Sequence, residues 1–201
     1  MTDRCLAGAR PLPDLVAAAV RGGVTAVQLR EKECATREFV ELARALKALL
    51  APLGVPLIVN DRADVALAAG ADGVHVGQSD MHCSDVRRLL GPSAVIGLSV
   101  ENPEQALAAP ADADYLAVSP LFSTPTKTDT AAEWGVAGLA ALRRASGRQL
   151  VAIGGIHGGN AARVIAAGAD GIAVVSAICA APDAELAARA LRREISLERN
   201  R

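Results

Sequence analysis

Aromatic side chains are scarce, only 2% of the 201 residues: two Phe, one Tyr and one Trp. A core without rings has to be built from methyl and branched aliphatic groups, which suits tightly packed layers of helix on sheet. Charge of either sign is not in excess. With a net charge of −1 there is no basic field for nucleic acid and no polybasic anchor for a membrane surface, so an anionic ligand must be held by local groups. Long hydrophobic runs are missing too: the apolar stretches are broken by Gly, Pro or charge before they could span a bilayer. Cys5, Cys34, Cys83 and Cys179 are widely spaced, with no C-x-x-C pair and no secretory leader ahead of them,. The expectation is a cytoplasmic protein with reduced thiols. His75, Asp80, His82 and Cys83 stand near one another but lack the paired ligand spacing of a zinc site. No Ser-His-acid arrangement and no G-x-G-x-x-G turn at a strand end is present to support triad hydrolysis or a dinucleotide cofactor.

What the chain does have is hydrophobic content, 51%, enough for the core of one domain over residues 1–201. Short continuous apolar runs alternate with stretches of helical periodicity. The runs are 26–30, 56–61, 73–77, 95–100, 115–120, 150–155 and 171–176, which read as buried parallel strands, apolar on both faces. Between them lie helix candidates over 14–21, 36–50, 63–69, 84–90, 103–109, 136–145, 161–167 and 183–193. A refrain marks helix ends turning into strands: Gly22-Gly23-Val24, Gly70-Ala71-Asp72-Gly73-Val74 and Gly168-Ala169-Asp170-Gly171-Ile172. Glycine there accepts the left-handed turn after a helix. Repeated βα units in this length predict a (β/α)8 TIM barrel, with a doubly wound open sheet as the other arrangement. The first strand would fall on Met1–Cys5, which is short and polar, so it is expected to be short or frayed.

In parallel α/β folds ligands gather outside the carboxyl ends of the strands, and the polar inventory concentrates there. Asp61, after the run Leu57–Asn60, either caps the following helix or serves chemistry together with Asp80 on the next loop. Two carboxylates suit Mg2+, which completes its shell with water and substrate phosphate. Gln28, Arg30 and Lys32 alternate, so an extended backbone projects them to one side. They offer a fork and a point charge to phosphate oxygens, or else salt bridges to Glu31 or Glu33. Ser99 ends another strand. The loop from Ser119 to Asp129, with Thr124, Pro125, Thr126 and Lys127, reads as a lid or as a plain surface loop. Gly154-Gly155 and Val175-Ser176 follow the last two strands, where barrels commonly bind phosphate through backbone N–H groups. The residues thus describe a site for two anionic ligands, a polyphosphate and a monophosphate, with displacement of pyrophosphate as the implied chemistry.

These motifs closely resemble those of the thiamine phosphate synthase family: VQLREK at 27–32, VNDRADVALAAGADGVHVGQSDM at 59–81, IGLSV at 96–100, STPTKTD at 123–129, AIGGI at 152–156 and GADGIAVVSAI at 168–178. The resemblance implies a (β/α)8 enzyme that joins hydroxymethylpyrimidine diphosphate to a thiazole phosphate and releases pyrophosphate. It implies Asp61 and Asp80 on Mg2+, and a pyrimidine diphosphate surrounded by Gln28, Leu29, Arg30, Glu31, Lys32, Asn60, Ser99 and Lys127. Of these, Arg30, Lys32, Ser99 and Lys127 would act in catalysis. Thr124, Pro125, Thr126, Gly155, Val175 and Ser176 would hold the thiazole phosphate. Departure of diphosphate would precede capture of a pyrimidinylmethyl cation by the thiazole nitrogen. Family members carry an apolar strand before the Thr-Asp that stands here at Thr2-Asp3. The related thiazole tautomerase and a non-catalytic thiamine-phosphate-binding protein share much of this pattern, but neither needs the combination of Arg30, Lys32, Asp61, Asp80 and Lys127. The partners implied are small-molecule substrates; the sequence leaves a homo-oligomer open.

Overall fold

The computed structural model of the protein describes residues 1–123 and 132–200. Seven strands, β1 (Val27–Leu29), β2 (Leu57–Asn60), β3 (Gly73–Val76), β4 (Val95–Val100), β5 (Tyr115–Val118), β6 (Gln149–Ile153) and β7 (Gly171–Ala173), lie in one sheet in sequential order. Every neighbouring pair is parallel. Helices α1 (Arg4–Ala7), α2 (Leu12–Arg21), α3 (Thr36–Leu50), α4 (Ala63–Ala69), α5 (Cys83–Leu90), α6 (Pro103–Leu107), α7 (Gly135–Ala145), α8 (Ala161–Ala166), α9 (Ser176–Cys179) and α10 (Ala184–Arg199) fill the connections and the ends. Among the described residues no helix is long and apolar enough to cross a membrane.

The two faces of the sheet are chemically different, which corrects the expectation of strands apolar on both sides. Leu29, Leu57, Val59, Val74, Val76, Ile96, Leu116, Val118 and Leu150 are fully buried and form the helix-facing core. Side chains alternate along a strand, so the residues between them face the other way, and the register lines them up. Asn60 stands beside His75, His75 beside Gly97, and Gly97 beside Tyr115. Gln28, in register with Ile58 on β2, and Ser99, two residues beyond Gly97, share that inner face. On that face Asn60, His75 and Tyr115 stand in one row, with Ile58 and Ala117 as apolar neighbours.

The aspartates in two copies of the refrain, Asp72 and Asp170, together with Asp114 at the same place before β5, pin strand ends. Asp72 donates its N–H to Leu57 O at 2.9 Å, and its carboxylate accepts the Leu57 N–H at 2.7 Å. Asp114 and Ile96 make the same double contact at 2.7 and 2.7 Å, and Asp170 and Leu150 at 2.8 and 2.7 Å. Lys47, Arg87 and Arg143 from α3, α5 and α7 neutralise the three carboxylates. The pairs β2–β3, β4–β5 and β6–β7 are each pinned at their amino ends, leaving the carboxyl ends free for loops.

The first strand, expected to be short or frayed over Met1–Cys5, is reduced to the extended pair Met1-Thr2. Asp3 caps α1, its carboxylate accepting the Leu6 N–H at 3.0 Å, and this turns the chain into a helix after two extended residues. Those two residues still make ladder-like bonds: Met1 N donates to Val174 O at 3.0 Å, Thr2 N donates to Gln28 O at 2.8 Å, and Thr2 Oγ1 accepts the Arg30 N–H at 3.0 Å. One dipeptide touches the end of β7 and the edge strand β1, so the sheet curls until its two edges are a single chain apart. The observed architecture is an α/β fold with a curled seven-stranded parallel sheet.

Candidate active site

β2 ends at Asn60, and the next residue adopts a backbone that L-residues seldom take. Asp61 has φ 63°; its N–H donates to His75 O at 2.8 Å, and the Arg62 N–H donates to Asn60 O at 2.8 Å, closing a three-residue turn around it,. A positive φ at a residue with a Cβ is strained and is kept where the surroundings over-determine it, often at a ligand site. The strain does not serve capping: Arg62, not Asp61, precedes the first residue of α4, and no side chain caps that helix. The turn aims the Asp61 carboxyl at Asp80. Asp80 is anchored by the Gly77 N–H, which donates to its carboxylate at 2.7 Å. Partial removal from water, then the Asp80 charge and a hydrogen bond to Asp80, raise Asp61 to about 6, with Arg30 and Lys32 pulling it back. Two acids that share a proton at mildly acidic pH, with two cations beside them, form a site for a hard cation and an anion together. Among the described residues no group of three or more His, Cys, Asp or Glu side chains forms a metal cage.

The cations come from the end of β1. Strand pairing stops at Leu29, so alternation orients Gln28 and Arg30 but not Lys32, which lies in the following bend. Glu31 is taken up by Arg4 of α1 at 3.3 Å, and Arg4 also holds Glu38 at 2.8 Å. Arg30 and Lys32 therefore act on Asp61 rather than on the neighbouring Glu31. Leu29, expected among substrate-binding residues, has its side chain buried in the helix-facing core and offers a ligand only backbone. Glu31, expected in the same role, has its carboxylate committed to Arg4 and braces the loop.

Ser99 stands on the inner face near the end of β4. His75 Nε2 lies 2.9 Å from its Oγ, and Gln78 Nε2 donates to its carbonyl at 2.6 Å. His75 Nδ1 lies 2.9 Å from the Tyr115 hydroxyl. Burial pushes His75 down to about 4, partly offset by Asp80, and raises the Tyr115 hydroxyl above its ordinary value. Both are neutral at physiological pH. Neither was singled out from the sequence for the site. The available signal was a lone His in the apolar strand Gly73-Val74-His75-Val76 and the only Tyr of the chain opening β5.

On the far side of the rim, Gly155 (φ 64°) is the second residue of the loop after β6. A Cβ there would sit 2.8 Å from Phe122 Cβ and 2.9 Å from Ser123 O, so the position needs glycine for packing against the chain beyond β5. Asn160 ties this loop together, donating to Gly155 O at 2.9 Å and accepting the His157 N–H at 2.8 Å. Val175 and Ser176 start α9, where the first N–H groups of the helix have no partner within it,. Thr124, Pro125, Thr126 and Lys127 lie outside the described residues, and with them most of the expected lid. Gln28, Arg30, Lys32, Asn60, Asp61, Asp80 and Ser99 are gathered on one side of the rim, with Gly155, Val175 and Ser176 after the last two strands.

Residues 1–178 match the profile of the family described as thiamine monophosphate synthase. The chain belongs to that family. A thiamine-phosphate synthase of Albidiferax ferrireducens is 61% identical over 97% of this chain and 90% of its own length. One of Xanthobacter autotrophicus is 54% identical over 96% and 92%. Among solved structures, a thiamine phosphate pyrophosphorylase of Pyrococcus furiosus superposes with a TM-score of 0.89 at 38% identity, covering 98% of this chain and 94% of that one. As a member of the thiamine monophosphate synthase family the chain is an enzyme, a transferase of thiamine biosynthesis acting on small molecules.

Proposed function

We propose that residues 1–201 form one barrel-like domain, with Met1-Thr2 in the place of an eighth strand. In this reading the enzyme condenses 4-amino-2-methyl-5-hydroxymethylpyrimidine diphosphate with a thiazole phosphate, giving thiamine phosphate and pyrophosphate. The observation that carries it is the Asp61–Asp80 pair with Arg30 and Lys32 acting on it. Four such charges after the carboxyl ends of three neighbouring strands, β1, β2 and β3, suit a diphosphate leaving group,. The pair also fits Mg2+, since two carboxylates this close otherwise share a proton; bound there, the ion would neutralise the departing diphosphate.

Arg30, Lys32 and Lys127 bind the diphosphate and stabilise the charge that grows on it as the C–O bond breaks, the electron pair leaving with the phosphate oxygen. Asn60, Gln28 and Ser99 orient the pyrimidine on the inner face. Thr124, Pro125, Thr126, Gly155, Val175 and Ser176 hold the thiazole phosphate, so that the ring nitrogen donates its lone pair to the electron-deficient methylene carbon. No base is needed, because the nitrogen attacks without losing a proton. A tautomerase, by contrast, needs a base facing the thiazole, and His75 has both ring nitrogens engaged.

Asp61→Ala tests the assignment. It should lower Mg2+-dependent turnover at least about a hundredfold while leaving thiazole phosphate affinity within about threefold. Equal loss of both would make Asp61 a structural residue.

A further inference from the structure

Glu31 stands in the chain between Arg30 and Lys32, the two cations proposed to meet the diphosphate, yet among the described residues it forms an ion pair with neither. Its side chain is 7% exposed, and the cation that meets it is Arg4, whose Nε lies 3.3 Å from the carboxylate. Nη1 of the same guanidinium reaches Glu38 Oε1 at 2.8 Å. One arginine thus bridges the loop after β1 to the first turn of α3.

The bridge has a fixed footing. Asp3 caps α1, which opens with Arg4, by accepting the Leu6 N–H at 3.0 Å. Thr2, 3% exposed, straddles Leu29: its N–H donates to Gln28 O at 2.8 Å and its Oγ1 accepts the Arg30 N–H at 3.0 Å. The start of α1 is therefore laid in register along the end of β1, and Arg4 comes down on Glu31. The two halves of the bridge differ in weight. The Arg4 and Glu38 side chains are 48% and 55% exposed, and water screens such a pair. Glu31 is placed otherwise: a carboxylate withdrawn from water needs a counter-charge, and deprived of one it draws another or takes up a proton. Its neighbours in the chain that could supply the charge are Arg30 and Lys32, and each one so used is lost to a diphosphate.

We propose that Arg4 is a positioning residue for the diphosphate site: by neutralising Glu31 it keeps Arg30 and Lys32 free for the leaving group. The proposal rests on the synthase reading for its substrate, and on the Glu31–Arg4–Glu38 bridge for its geometry.

Arg4→Gln removes the charge and keeps a hydrogen-bonding side chain. With Mg2+ and thiazole phosphate present, its KM for the aminopyrimidine diphosphate should rise about tenfold, while kcat and KM for the thiazole phosphate stay within about twofold. Adding Glu31→Gln to that chain removes the carboxylate that Arg4 was holding, and should return the KM to within about threefold of the wild-type value. A merely structural bridge predicts the opposite, because the double variant lacks both of its ends. Glu31→Gln alone leaves no buried charge unpaired and should match the wild-type KM to within about twofold. Loss without rescue, equal loss for both substrates, or a Glu31→Gln chain as weak as Arg4→Gln overturns the proposal. Inorganic pyrophosphate with Mg2+, titrated calorimetrically into the same proteins, reads the competition without turnover: affinity should fall about tenfold in Arg4→Gln and recover in the double variant. If the wild type made no thiamine phosphate, the synthase reading would fail while this titration still decided the role of Arg4. Pyrophosphate affinity that is absent from the wild type, or unchanged in Arg4→Gln, overturns that role.

Discussion

Asp72 and Leu57 grip each other by both backbone and side chain: the Asp72 N–H reaches Leu57 O at 2.9 Å, and the Leu57 N–H reaches the Asp72 carboxylate at 2.7 Å. Lys47 completes the arrangement at 2.5 Å from the same carboxylate. Asp72→Ala strands the Leu57 N–H at the start of a buried strand and leaves Lys47 without its partner. Unfolding in urea should show a loss of about 2 kcal/mol. Asp72→Asn, which keeps an acceptor, should lose about half as much. Equal losses would mean that the ion pair, not the backbone bond, is what matters.

The shared proton of Asp61 and Asp80 gives Mg2+ binding a definite pH dependence. Asp61 titrates near 6 in the metal-free protein, above its unfolded value. An acid whose folded pKa is raised contributes stability below the unfolded value, and that contribution is lost as pH rises through about 6. Mg2+ restores it only where the carboxyl is ionised. The rise in melting temperature on adding Mg2+ should therefore be clear at pH about 7.5 and nearly absent at pH about 5. A Mg2+ effect of equal size at both would contradict the pairing.

Gly97 is the hinge of the inner face. Gly97→Ala puts a methyl group where Tyr115 and His75 now meet, at 2.1 to 2.4 Å from their atoms. Overpacking of this kind costs roughly 1–3 kcal/mol, and here it also parts the two rings. The variant should stay folded, lose stability in that range, and lose affinity for the pyrimidine diphosphate more than for the thiazole phosphate.

Much of this was legible in the sequence, because each strand announces itself by an apolar run and its end by a polar one. The helices Thr36–Leu50 and Ala63–Ala69 fall on their expected bounds, and the seven runs become the seven strands. The amino terminus was expected to be a short or frayed strand; what the sequence did not show is that the Asp3 cap turns the chain into a helix after two extended residues. For Asp61 the sequence offered a helix cap beside a metal ligand, because it does not reveal the positive φ that takes the residue out of the capping position. His75 and Tyr115 were passed over for a related reason: their meeting depends on register across three strands, and the residue that permits it is a glycine. That the Leu29 side chain is buried and the Glu31 carboxylate pairs with Arg4 was not legible either, because both depend on how the chain folds around β1.

The most direct measurement of the whole account is the reaction itself. Purified protein with Mg2+, the aminopyrimidine diphosphate and the thiazole phosphate should yield thiamine phosphate and pyrophosphate in equal amounts, and omission of Mg2+ should stop both. Pyrophosphate release without thiamine phosphate, or neither product from a folded protein, would contradict the assignment of this site as a synthase.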